Sequence, residues 1–166
     1  MKKLFLMLFI STSLFYYGRV AMAQTLSPLQ SNDFHLQVQI PSGWNTVSMT
    51  DLEVPYLEST SSDENLHLLV YVSRDSIINA DQLLDREVKS FGFVLKGPKQ
   101  EGVRNGVQIR SAEGTGDMMG EKVRMLILSF TSDARAYFAY LYTDEGLFAA
   151  NAKLMQNILN SIQPLE

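Results

Sequence analysis

Phe34, Leu36, Val38 and Ile40 alternate with His35, Gln37 and Gln39. This period of two predicts a strand with one apolar and one wet face. Pro41-Ser42-Gly43 then supplies turn chemistry. Trp44 to Val47 reads as a second extended piece. Glu53 to Thr60 reads as a weaker strand, with Pro55 placing it at an edge or start. Thr60 to Glu64 is a polar turn. Leu66, Leu68, Val70 and Val72 mark a further strand, with His67, Leu69 and Tyr71 on its other face.

The period then changes. Ala80, Leu83, Leu84, Val88 and Phe91 fall on one stripe at helical spacing. Asn79 can cap the first turn, Gln82 sits at the capping-box position, and Ile78 and Leu83 can staple it. Gly92 permits the left-handed residue that stops such a helix. Phe93 to Lys96 is a short strand closed by Gly97-Pro98, and Val107 to Arg110 is another half-wet strand entered through the tight-turn pair Asn105-Gly106.

Val123 to Phe130 and Ala136 to Tyr142 differ from the first strand in being apolar on both faces. A strand of that kind needs cover on both sides, which predicts central positions with helices above and below. A last helix, from about Glu145 to Ser161, presents Leu147, Leu154 and Ile158, with Phe148, Met155 and Leu159 beside them. The connections between strands are mostly too short for parallel crossovers. The predicted class is α+β, a mainly antiparallel sheet sandwiched by helices in an α/β/α arrangement.

The N-terminus carries a different pattern. Lys2 and Lys3 precede an apolar run from Leu4 to Tyr17, and Ala21-Met22-Ala23 offers a small-x-small cleavage site. Residues 1–23 are read as a secretory signal peptide, 24–32 as a flexible arm, and 33–166 as a single domain. Removal of the signal peptide takes Lys2, Lys3 and Arg19 with it. The 14 basic residues become 11 against 18 acidic ones, a formal charge of −7. The remaining basic residues are scattered, which argues against nucleic acid or an anionic lipid surface as a partner. The chain has no cysteine and two histidines. Disulfides, thiolate metal sites, cysteine nucleophiles and lipid attachment through cysteine are therefore excluded. No cofactor and no stable membrane insertion are expected, and the destination is the periplasm or the exterior.

Few residues suggest chemistry. Gly114 to Gly120 has three glycines, but their spacing departs from the dinucleotide fingerprint and no helix follows. It reads as a hairpin loop, and Met118 and Met119 on it are candidate contacts with a partner. His35 is assigned to the wet strand face, and His67 to a hydrogen-bonded, half-buried position. Asp63-Glu64 and Asp144-Glu145 sit in a turn and at a helix start, where solvent and the helix dipole account for them. Trp44 is read as a core plug. No Gly-x-Ser-x-Gly elbow and no zinc-ligand spacing is present.

Two features carry a family resemblance. The early strand ends in Pro41-Ser42-Gly43-Trp44, and the paired apolar strands Met125 to Phe130 and Tyr137 to Tyr142 lead into a last helix with Phe148, Ile158 and Ser161-Ile162. From Phe34 to Ile162 the chain resembles the PsbP-like and DcrB-like domains. The resemblance implies an antiparallel sheet between helices and a role in binding other proteins without catalysis; it carries over no catalytic residue. The leading expectation is an exported, non-enzymatic accessory domain that binds another protein through the methionine loop and the wet face of the first strand. A second reading is a periplasmic carrier of a lipid or other apolar small molecule, lined by Tyr137 to Tyr142. A third is a hydrolase whose site, including His67, is assembled only by folding.

Overall fold

The computed structural model describes residues 25–73 and 78–165. The expected signal peptide lies outside the described residues. Two sheets and two helices form in the order β1 (Leu26–Ser31), β2 (Leu36–Pro41), β3 (Asn45–Met49), β4 (Tyr56–Thr60), β5 (His67–Ser73), α1 (Ala80–Ser90), β6 (Val94–Leu95), β7 (Gln100–Arg104), β8 (Val107–Met118), β9 (Glu121–Ser132), β10 (Arg135–Asp144), α2 (Phe148–Asn160) and β11 (Gln163–Pro164). A single 3-10 turn, Glu145–Leu147, leads into α2.

The large sheet runs β3-β4-β5-β10-β9-β8-β6, with β7 also paired to β8, and every pairing is antiparallel. As the two-sided apolar pattern predicts, β10 and β9 are interior strands. One face of β10 presents Tyr137, Ala139 and Leu141 to Met155 and Ile158 of α2. The other presents Phe138 and Tyr140 to Leu83, Leu84 and Val88 of α1. Side chains alternate across a strand, so one sequence supplies both cores.

Both helices follow from their sequence. In α1 the Asn79 side chain accepts from the Gln82 backbone N–H and the Gln82 side chain accepts from the Asn79 N–H, completing the predicted capping box. Gly92 follows at φ 70°. The end of α2 is tied down by Arg104 on β7. Its guanidinium donates to the Leu159 and Ile162 carbonyls at 3.1 and 3.2 Å, fixing the last turn of the helix and the residue that leaves it against β7.

One expectation is corrected, and the expected fold gains a second, smaller sheet. The arm expected over 24–32 contains β1, which pairs with β2 from Leu26↔Pro41 to Ser31↔Leu36. The polar composition that suggested looseness belongs to an edge strand, for which a row of backbone hydrogen bonds suffices. The helix cover on the α2 side is also incomplete. A small sheet, β1-β2-β11, packs beside α2 and contributes Leu36, Val38 and Ile40 to the shared core. Tyr137 locks the two sheets together, its hydroxyl donating to the buried Phe34 carbonyl at 3.1 Å.

Candidate functional site

Met118 and Met119 part company in the structure. The expected loop from Gly114 is strand as far as Met118, because β8 pairs with β9 in continuous register down to Met118↔Glu121. The glycines serve close approach. A Cβ on Gly116 would stand 3.0 Å from Phe93 Cδ1 and 3.2 Å from Met125 Cε. Met118 turns back and packs on the core beneath α1. Met119 alone forms the tip, fully exposed at φ 55°, with Gly120 at φ 91° completing the turn. The tip is braced by Asp117, which accepts from the Gly120 N–H at 2.8 Å and pairs with Lys122.

Beside the tip lies a groove of about 480 Å³, bordered by Met118, Met119, His67, Tyr142, Thr143 and the acidic Asp63, Glu64, Glu121 and Asp144. His67 stacks on Tyr142 with ring centroids 4.8 Å apart. Its Nε2 donates to the Glu64 carbonyl at 2.8 Å, which leaves Nδ1 to accept from the Thr60 hydroxyl at 3.4 Å. This is the hydrogen-bonded, half-buried histidine expected. Among the described residues neither ring nitrogen has a carboxylate partner, and the two bonds hold the ring in place. Asp63 accepts from Ser61 Oγ at 2.7 Å and from the Asn65 N–H at 3.3 Å. Those bonds, led by that from Ser61, hold its pKa below the ordinary carboxylate range. Among the described residues no group of three or more histidine, aspartate or glutamate side chains is placed to hold a metal.

From this groove an aromatic face extends across the large sheet. Register places Tyr142, Tyr140 and Phe138 of β10 opposite His67, Leu69 and Tyr71 of β5. It places Tyr71, Leu69 and His67 opposite Tyr56, Glu58 and Thr60 of β4. Those residues in turn face Met49, Val47 and Asn45 of β3. All these side chains lie on the α1 side of the sheet. However, α1 packs on β8, β9 and β10, and β3 and β4 remain uncovered on that side among the described residues. Val47, Met49 and Phe91 are about 40% exposed. Phe91, the residue that ends α1, stacks on Phe138 and meets Tyr71 at a tilt, and Tyr71 also contacts Tyr56 and Tyr140. Burial raises the pKa of Tyr71, Tyr140 and Tyr142, and the carboxylate of Glu58 adds to the rise in all three.

Sequence reasoning missed this face. Tyr56-x-Glu58-x-Thr60 shows the required alternation, but only register brings it against Tyr71 and Tyr142. The other contact expected by sequence, the wet side of the first strand, belongs to β2, the middle strand of the small sheet. Its Gln37 and Gln39 are half-buried, and the Gln39 N–H donates to Ser161 Oγ at 2.7 Å. His35 is not on a strand; it sits exposed in the preceding turn at φ 49°. Trp44 is half-buried and packs against the α2-side core. Of the strand Tyr137 to Tyr142, expected to line a carrier's pocket, the α2 face is filled by its own packing, while Tyr142 on the other face borders the groove. Tyr137 stacks on Phe130 at 4.5 Å, and Ala139 and Leu141 are fully buried against α2.

The architecture is PsbP-like: an antiparallel sheet with helical cover on both faces. Similar solved structures include the cyanobacterial PsbP (CyanoP) of Synechocystis sp. PCC 6803, at 16% identity and TM-score 0.65 over 89% of this chain and 96% of that one. The Ran-binding protein Mog1p of Saccharomyces cerevisiae is similar at 11% identity and TM-score 0.58, over 87% and 97%. Protein PA94 of Pseudomonas aeruginosa, of unknown function, is similar at 9% identity and TM-score 0.55, over 84% and 97%. No family model and no curated protein sequence matches the chain.

Proposed function

We propose that the chain is an exported accessory domain that binds another protein and carries out no reaction itself. The observation that carries this reading is the aromatic face of β3, β4 and β5, open where α1 stops and continuous through His67 and Tyr142 with the groove at Met119. A half-exposed sheet face rich in tyrosine and methionine suits contact with a protein, because tyrosine presents large area at low entropic cost and methionine adapts its shape to a partner. The expectation of export rests on the charged start, short apolar run and small-residue site of residues 1–23. Among the described residues no helix is long and apolar enough to cross a membrane. Mog1p, which has the same fold, is described as Ran-binding, so this architecture is compatible with a binding role.

Site-specific photo-crosslinking in cells producing the full chain tests the proposal. A benzophenone side chain at Met119 or Phe91 is expected to give a discrete protein adduct in the envelope fraction. The same group at Val103, on β7 at the opposite edge of the large sheet, should give none. If adducts fail to form from both positions, or form equally from Val103, the binding role is lost. The mass of the recovered chain checks export, since processing after Ala23 leaves Gln24 as the first residue.

A further inference from the structure

The edge of the large sheet next to this face differs from the edge at its other end. Native sheets blunt their edges with charge, proline, bulges or very short strands. The far edge does so. There β6 has two residues, and β7 carries Glu101 and Arg104 around Gly102. By contrast β3 is Asn45-Thr46-Val47-Ser48-Met49, five residues without a charge or a proline. It pairs with β4 on one side, and no strand of the described residues pairs with its outer side. Such an edge is a template for an added strand.

Glu58 supplies a second and independent observation. It lies directly across from Val47 on the open face, half-buried, with Leu69 as its other cross-strand neighbour. Tyr71, Tyr140 and Tyr142 lie within its electrostatic reach. Several carboxylates of the large sheet and of α1 have basic partners: Glu101 with Arg110, Glu113 with Arg124, Asp117 with Lys122, Asp81 and Asp85 with Lys99, while Glu121 and Asp144, at the ends of β9 and β10, are exposed to water. Glu58 forms no ion pair among the described residues. A half-buried carboxylate with no cation beside it attracts one through its charge, and Tyr56 on its own strand and Tyr71 diagonally across on β5 share its face.

We propose that the β3 edge docks an extended segment of a partner protein, and that this segment carries a lysine or arginine laid over Val47 onto Glu58. The proposal rests on the binding role above and names the chemistry of the partner. An added strand would lie two strand spacings, about 10 Å, from β4. A long basic side chain and a glutamate close that span from opposite ends, the basic stem covering the exposed Val47. Main-chain hydrogen bonds to β3 supply affinity, and the salt bridge fixes register. A second copy is the wrong occupant on charge. The processed chain carries −7, and strand pairing about Val47 would bring one Glu58 toward another.

The test uses a phage library of random twelve-residue peptides selected on the processed chain. Selected peptides are then measured against Glu58→Gln, Val47→Lys and the far-edge control Val103→Lys, each checked for native circular dichroism. The expected sequences alternate apolar residues around a lysine or arginine. Their affinity should fall at least tenfold on Glu58→Gln and Val47→Lys and stay unchanged on Val103→Lys. Amide shifts on binding should be largest at Asn45–Met49. Val47→Lys removes the site by supplying its own cation, while the isosteric Glu58→Gln leaves the edge intact, so the two report separately on charge and strand addition. The proposal is overturned by selected peptides without a basic residue, by equal affinity for Glu58→Gln, by failure of any peptide to enrich, or by a dimer in sedimentation that Val47→Lys dissolves. In each of those cases adducts from Met119 or Phe91 would keep the binding role standing without this edge; their absence would remove both.

Discussion

Tyr137 and Thr143 lie six residues apart on one face of β10, both buried, and their hydroxyls fare differently. That of Tyr137 donates to the Phe34 carbonyl, whereas Thr143 Oγ1 has no hydrogen-bond partner among the described residues. A buried hydroxyl helps the folded state when it is paired and costs when it is not. Removing each should therefore act in opposite directions. Tyr137→Phe is expected to lower the unfolding free energy by about 1 kcal/mol. Thr143→Val, nearly the same shape without the unpaired oxygen, should leave it unchanged or raise it by up to about 1 kcal/mol. Urea unfolding of both variants reads the sign directly; a loss on Thr143→Val would mean that its hydroxyl is satisfied. Neither partner could be named from sequence, since 103 positions separate Tyr137 from Phe34.

At the scale of elements, patterning was most legible where one face met one core. The capping box, the stripe and the closing glycine located α1, and its observed span begins one residue after Asn79 as expected. The glycine run was misleading because glycine marks two different needs. At Gly120 it answers a positive φ; at Gly114 and Gly116 it answers the lack of room beneath Phe93, Val94 and Met125. Composition cannot separate these, because the crowding atoms come from other strands. Gly116→Val makes the distinction measurable. In a loose loop it would be silent. In strand β8 it drives a side chain into the Phe93 ring, itself held between Phe91 and Tyr140 at 5.4 and 5.1 Å, and should cost about 1–3 kcal/mol in urea unfolding. The same substitution in a Phe93→Leu background should cost less, because the two side chains compete for one space.

Over the whole molecule, the tyrosines couple folding to alkaline pH. Burial raises the pKa of Tyr71, Tyr137, Tyr140 and Tyr142 above the ordinary value of about 10. A group whose folded pKa is raised contributes stability that is fully present below its unfolded pKa. That contribution is lost as pH climbs through the folded value, because only the unfolded chain can then release the proton. The domain should hold constant tyrosine-linked stability below about pH 9 and lose it cooperatively above about pH 10. Tyrosinate absorbance near 295 nm, followed with circular dichroism, is expected to rise for these four only as the fold is lost. A rise well before unfolding would show that the aromatic face is more hydrated than its packing indicates.

Local chemistry along the chain was enough to determine strand periodicity, the first helix and its cap, the central rank of the two greasy strands and the antiparallel α+β class, because each depends on neighbours within a few residues. The tertiary structure alone decided that residues 26–31 form a strand, that a second small sheet replaces part of the helical cover, that Met118 packs against the core while Met119 is tip, and that Glu58 shares a face with Tyr56 and Tyr71 beside an unblocked edge. Those features arise from register and from where α1 ends above the sheet. Both are set by contacts between residues tens of positions apart, which no local pattern encodes.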